Sequence, residues 1–224
     1  MSEENTGFLY PFIDAEEKDD GTLLTDLAAS AIGKANQSAA LQQSTLAELG
    51  EQVKACGAAM AERFTAGGRM YAFGNGGSST DCATFATLFA APPANGGRPL
   101  AALNLTADQA VVTALGNDVG FELIFSRQII AHSGPNDIAV AFSTSGSSRD
   151  LMTALTEARR RGLLTVGFAG YDGGEMANSD MVDYCFTVRS QSVHRIQESQ
   201  ALVGYRLWLA TQEALHVTTS REPA

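Results

Sequence analysis

Five short apolar runs recur between residues 69 and 188, most of them separated by stretches of helical length, and this alternation leaves few folds open. The runs are 69–73, 100–104, 137–142, 164–169 and 184–188. Their length suits strands, and the stretches at 80–90, 107–115, 121–131, 149–161 and 193–215 carry helical spacing. Strands alternating with helices predict an α/β fold with a mainly parallel sheet covered on both faces. In such folds a ligand sits beyond the carboxyl ends of the strands.

Two connections at those ends have an unusual composition. Gly74-Asn75-Gly76-Gly77-Ser78-Ser79 follows the first strand, and Ser143-Thr144-Ser145-Gly146-Ser147-Ser148 follows the third. Glycine lets the backbone approach a ligand closely, and the helix start that follows offers unpaired N–H groups and a positive dipole end. Ser and Thr hydroxyls add donors that rotate to suit a phosphate. Two such turns in one domain point to a ligand with a phosphate and several hydroxyls, that is, a sugar phosphate. A Ser-capped connection accounts for the first turn almost as well. The second has five hydroxyl residues in six, more than capping one helix needs.

Ahead of the first strand, residues 23–64 are apolar at spacings of three and four: Leu23, Leu27 and Ala31, then Leu41, Leu46, Leu49, Val53, Met60 and Phe64. This predicts two helices with a break near 36–38, the second ending at Gly67-Gly68. Their apolar residues lie on more than one face, which suits either a subunit interface or packing on the domain's own sheet. Residues 1–22 read as an acidic arm around Phe8-Leu9-Tyr10-Pro11-Phe12-Ile13. Three aromatics in five residues favour an arm that docks on a neighbour over a purely solvated tail. The expected organisation is this arm and one domain over 23–220.

A chain of 224 residues is long enough for one sizeable core. Its net charge of −10 argues against general affinity for nucleic acid or an anionic membrane, both of which require a basic face. Cys56, Cys82 and Cys185 are scattered and odd in number, fitting reduced thiols with packing roles rather than a disulfide framework or metal site. No N-terminal apolar segment reads as a signal peptide and no run is long enough to span a bilayer, so the expected setting is the cytoplasm.

Five motifs in register carry a family likeness: Gly74-Asn75-Gly76-Gly77-Ser78, Gly116-Asn117-Asp118, Ser143-Thr144-Ser145-Gly146, Gly170-Tyr171-Asp172-Gly173-Gly174 and Arg195-Ile196-Gln197-Glu198. Over residues 41–215 the chain resembles the phosphoheptose isomerase family, a branch of the sugar isomerase (SIS) domain proteins. The resemblance implies a three-layer SIS-type fold: a five-stranded parallel sheet flanked by helices, with an N-terminal helical extension. It also implies a homotetramer with sites between subunits. Family isomerases act on sedoheptulose 7-phosphate, whereas one bacterial relative associates with the replication initiator protein, so a protein partner is a second possibility. Carried over residue by residue, the resemblance gives the phosphate to Ser143, Thr144, Ser145 and Ser148. It puts Asn75, Gly76 and Ser78 near the sugar, Asp108 close to its hydroxyls, and Gln197 in the active site.

Three positions depart from the family pattern. The isomerases carry a His in the helix after the first turn, a Glu four residues later, and a His eight residues after the matched Gln. This chain has Thr84, Leu88 and Tyr205 there. Aldose–ketose isomerisation through an enediol requires a base and an acid that move protons between neighbouring carbons. Leu takes no proton, and Tyr titrates near pH ~10. A zinc site of His and carboxylate type is lost as well, so neither metal nor cofactor is expected. His194, three residues before Gln197, is the candidate replacement acid or base, although a surface His at a helix start is the simpler account. Asp81 reads as a cap-side carboxylate, and Tyr205 and Trp208 read as core or interface. The expected function is a phosphosugar-binding protein without the usual catalysis; the alternative is an isomerase using replacement residues.

Overall fold

The computed structural model describes residues 20–93 and 96–219. The aromatic patch at 8–13, expected to dock on a neighbour, lies outside the described residues. The chain divides into two compact units, Met1–Ala40 and Leu41–Ala224.

Helix α1 (Asp20–Thr65) is unbroken over 46 residues, so the break expected at 36–38 is absent. Asn36 and Ser38 each cost at most about 0.7 kcal/mol relative to Ala in a helix interior. The run around them is Ala-rich and has no Pro to remove a hydrogen bond. Within the first unit, Leu24, Leu27 and Ile32 of α1 are exposed.

The second unit is built on a five-stranded parallel sheet, as expected: β1 (Met70–Gly74), β2 (Ala102–Asn104), β3 (Ile138–Phe142), β4 (Leu164–Gly170) and β5 (Tyr184–Val188). The spatial order is β2-β1-β3-β4-β5. The intervening helices are α2 (Gly77–Ala90), α3 (Gln109–Asp118), α4 (Ile124–His132), α5 (Arg149–Arg160), α6 (Gly174–Asn178) and α7 (Val193–Thr219). Helix α2 starts three residues earlier than its spacing predicts, because the turn's own Gly77, Ser78 and Ser79 form its first turn. Helix α6 was not expected; five residues are too few for a helical period to register.

Strand alternation sorts the core into two layers. Met70, Ala72, Val140, Phe142, Val166, Phe168 and Phe186 pack with residues of α1 from Leu49 onward, α2 and α7. Tyr71, Phe73, Ala139, Ala141 and Ala169 pack with α4 and α5 on the other face. The large aromatics are concentrated on the first face. There the Phe142 and Phe168 rings stack at 4.2 Å and 4°, and Phe85 of α2 meets both edge-on. Cys56 and Cys82 are buried in this layer, and burial raises both thiols. Both read as packing residues.

The strand order sets the site's location. From β1 the chain crosses to β2 on one side and later returns to β3 on the other. The connections after β1 and β3 therefore diverge from adjacent strand ends, the place where open α/β sheets bind ligands. Among the described residues, no helix is long and apolar enough to cross a membrane.

Candidate functional site

The two glycine- and hydroxyl-rich turns lie side by side at this switch point, and one hydrogen bond ties them together. Asn75 Nδ2 donates to Asp150 Oδ2 of α5 at 2.8 Å. Asp150 is buried, and the bond fixes the orientation of the Asn75 amide. Nothing in the one-dimensional spacing pairs residues 75 apart, so Asp150 escaped the sequence reading.

In the first turn, Gly76 is the N-cap of α2, with φ 54°, and no side chain caps the helix. The Ser cap considered from sequence is therefore absent. Ser78 N donates to the Asn75 carbonyl at 3.0 Å, and Ser78 itself is buried. In the second turn, Ser143 Oγ accepts from Gly146 N at 3.0 Å and lies 3.3 Å from Ser145 Oγ. Ser148 occupies the N-cap of α5 in an extended conformation, and its hydroxyl makes no cap bond. Thr144 is half-buried between them; its carbonyl accepts from Gly170 N at 3.0 Å. Helix α6 braces this turn from outside: Met176 N donates to the Gly146 carbonyl at 2.9 Å and Glu175 N to Ser147 Oγ at 3.0 Å. The first N–H groups of α5, together with Ser145 and Ser148, suit an anion.

Helix α7 closes over the first turn. Gln197 sits against Gly77, where a Cβ would lie only 2.6 Å from Gln197 Nε2, so any larger residue there displaces this amide. Gln197 Nε2 donates to Asp81 Oδ2 at 3.0 Å. Asp81 is thus no cap-side carboxylate, as expected from sequence, but the partner of Gln197. Burial pushes its carboxyl above the ordinary range, partly offset by that hydrogen bond.

Other expectations fare differently. Asp108 is exposed as the N-cap of α3, with Oδ1 accepting from Val111 N at 3.1 Å, so one of its oxygens already has a structural partner. His194 is exposed in the first turn of α7. Glu198 pairs with Arg195 along the same helix. Trp208 is buried, whereas Tyr205 is 45% exposed, with ring centroids 5.6 Å apart.

Thr84, Leu88 and Tyr205 come together on the wall of one cavity of about 180 Å³ between α2 and α7. Asp81, Phe85, Phe142 and Gln200 complete much of the lining. Gln200 was missed from sequence, although its place three residues after Gln197 puts it on the same face of α7. Among the described residues, no group of three or more His, Cys, Asp or Glu side chains could hold a metal ion.

Comparison with known proteins agrees with this geometry. The SIS domain family matches residues 35–170. The phosphoheptose isomerase of Paramagnetospirillum magneticum is 41% identical over 173 residues, covering 72% of this chain and 89% of that protein. The solved phosphoheptose isomerase GmhA from Neisseria gonorrhoeae superposes with a TM-score of 0.74 at 30% identity, over 81% of this chain and 96% of that one. A phosphoheptose isomerase from Francisella tularensis gives a TM-score of 0.71 at 27% identity, over 82% and 98% of the two chains.

Proposed function

Because the chain belongs to the phosphoheptose isomerase family of SIS-domain proteins, we propose that it binds a sugar phosphate at its two paired turns without carrying out the family's usual isomerisation. The phosphate lies at the start of α5, held by backbone N–H groups and the hydroxyls of Ser145 and Ser148, with Ser143 and Thr144 shaping the turn. Asn75, Gly76, Ser78 and Gln197 face the sugar. One observation carries the non-catalytic part. The three positions that the family resemblance gives to His, Glu and His are here Thr84, Leu88 and Tyr205, and all three line one cavity. These side chains do not fit a zinc ion, which takes Cys, His or carboxylate ligands, and no step is derived through one.

Ligand binding should survive this loss, because it rests on groups in the turns. Replacing Ser145 and Ser148 with Ala is expected to weaken binding of sedoheptulose 7-phosphate by roughly a hundredfold or more, since hydrogen bonds to a charged group are worth about 1.5–3 kcal/mol each. Titration calorimetry measures it, and unchanged affinity would remove the phosphate from this turn.

A second reading, an isomerase with replaced groups, draws on Asp81. It lines the cavity, and its carboxyl is shifted upward by burial, as suits a general base. His194, exposed at the start of α7, fits this role less well.

We also propose a homotetramer, with a ligand-dependent protein partner as the route to a regulatory role. Leu24, Leu27 and Ile32 expose apolar surface along one helix, which assembly would cover. Light scattering at micromolar concentration is expected to report about four times the 23.5 kDa chain mass. A monomer there contradicts the proposal.

A further inference from the structure

We infer that the cavity between α2 and α7 receives an N-acyl group of the bound sugar, so that the preferred ligand is an N-acylated amino-sugar phosphate rather than a plain polyol phosphate. The inference rests on the phosphosugar reading above and narrows its substrate class.

The cavity has the size and lining for such a group. Its volume is about 180 Å³, and Phe85, Leu88, Phe142, Ala201 and Gly204 supply apolar wall. A cavity of about 150 Å³ lined by aliphatic and aromatic side chains takes a benzene-sized guest. The hydroxyls of a plain polyol would lose their water against Phe and Leu, which is unfavourable without compensating hydrogen bonds.

Gln200 supplies a second, independent observation. It is fully buried, it lines the cavity, and its Nε2 donates to the Ser143 carbonyl at 3.0 Å. A carbonyl only accepts, so this bond fixes which end of the amide is nitrogen. The other end, Oε1, has no hydrogen-bond partner among the described residues. A buried acceptor left unpaired is costly, and in a native protein it calls for a partner. A ligand N–H satisfies it. A secondary amide offers that N–H together with an apolar acyl chain, and its carbonyl oxygen can accept from the phenol of Tyr205 on the same wall.

The cavity wall adjoins both turns. Phe142 in its wall directly precedes Ser143 of the second turn. Asp81, also in the wall, accepts from Gln197, which lies against Gly77 of the first turn. A sugar anchored by its phosphate at the second turn therefore has the cavity beside it. Leu88, standing where the family pattern has a charged Glu, gives this wall an apolar face suited to an acyl chain.

The test is calorimetric titration of the full chain with two probes, glucose 6-phosphate and N-acetylglucosamine 6-phosphate. The acetylated probe is expected to bind about tenfold tighter or more, from one new hydrogen bond and the burial of a methyl group. Leu88→Phe, which fills the cavity, is expected to erase the difference between the probes. Ser145→Ala with Ser148→Ala is expected to weaken both probes by the same factor. Equal affinity of the unmodified protein for both probes, or tighter binding of glucose 6-phosphate, overturns this inference alone. A preference that persists in folded Leu88→Phe overturns the placement of the acyl group. Failure of both probes where sedoheptulose 7-phosphate still binds overturns this inference alone; failure of all three overturns the phosphosugar reading with it. The ratio for the unmodified protein decides the matter even where the Leu88 variant does not fold.

Discussion

Incubated with sedoheptulose 7-phosphate, the purified protein is expected to turn over at or near the background rate, with or without added zinc. Isomerisation through an enediol needs one group to take a proton and another to return it. At the positions given by family resemblance to the Glu and the last-helix His stand Leu88 and Tyr205, both on the cavity wall. Leu88 has no proton to exchange, and a phenol does not take the place of an imidazole in moving protons at neutral pH. A positioned general acid or base contributes roughly 10²–10⁴-fold, so losing both leaves little above background. The combined change Thr84→His, Leu88→Glu and Tyr205→His sets all three family side chains around the same cavity. It is expected to raise turnover in the presence of zinc. A coupled assay on the unmodified protein decides between the readings: robust turnover would establish the isomerase, and Asp81→Asn would then be the variant that abolishes it.

Gly146→Ala is expected to abolish sugar-phosphate binding and to lower Tm. Gly146 has φ +67°, a region that L-residues rarely enter, and an added Cβ would lie 2.2 Å from the Gly173 carbonyl oxygen. That oxygen belongs to the backbone and cannot rotate away, so the second turn must shift as a unit. With it move Ser143, whose Oγ accepts from Gly146 N, and α6, whose Met176 N bonds the Gly146 carbonyl. Backbone strain alone is worth roughly 1–3 kcal/mol. In a chain of this size each kcal/mol lowers Tm by roughly 2–4 °C, and the collision adds to that. Gly67→Ala is the matched comparison. Gly67 has φ +82° at the end of α1, yet an added Cβ there would meet nothing within 4 Å. It carries the strain without the collision, and is expected to cost a few degrees of Tm and no affinity. Thermal melts and calorimetry on the two variants measure this. Wild-type affinity in Gly146→Ala would separate the turn from the ligand.

Much of the architecture was legible in one dimension because its signals are local. Five β-length runs, helical spacing between them and Gly-rich breaks dictate the α/β class, and β5 at 184–188 agrees with its run to the residue. The same locality marked the two turns. Glycines and hydroxyls concentrated at a strand end have few purely structural uses. Helix boundaries were less legible. At 36–38 two residues of modest propensity suggested a break that the neighbouring alanines override. The start of α2 was hidden because glycine and serine serve equally in a turn and in a first helical turn.

By itself the sequence determined the fold class, the presence of two anion-suited turns and the absence of His, Glu and His at three family positions, since each is a matter of residue type along the chain. Tertiary structure alone decided what those residues meet. The order β2-β1-β3-β4-β5 sets β1 beside β3 and so lets Asn75 reach Asp150, residues with no local relation. The packing of α7 on α2 carries Gln197 onto Gly77 and Asp81, and leaves His194 in solvent. It also gathers Thr84, Leu88, Gln200 and Tyr205 around one cavity. Hydrogen bonds and cavities depend on distances of a few ångströms between segments far apart in the chain, and no pattern within either segment encodes them.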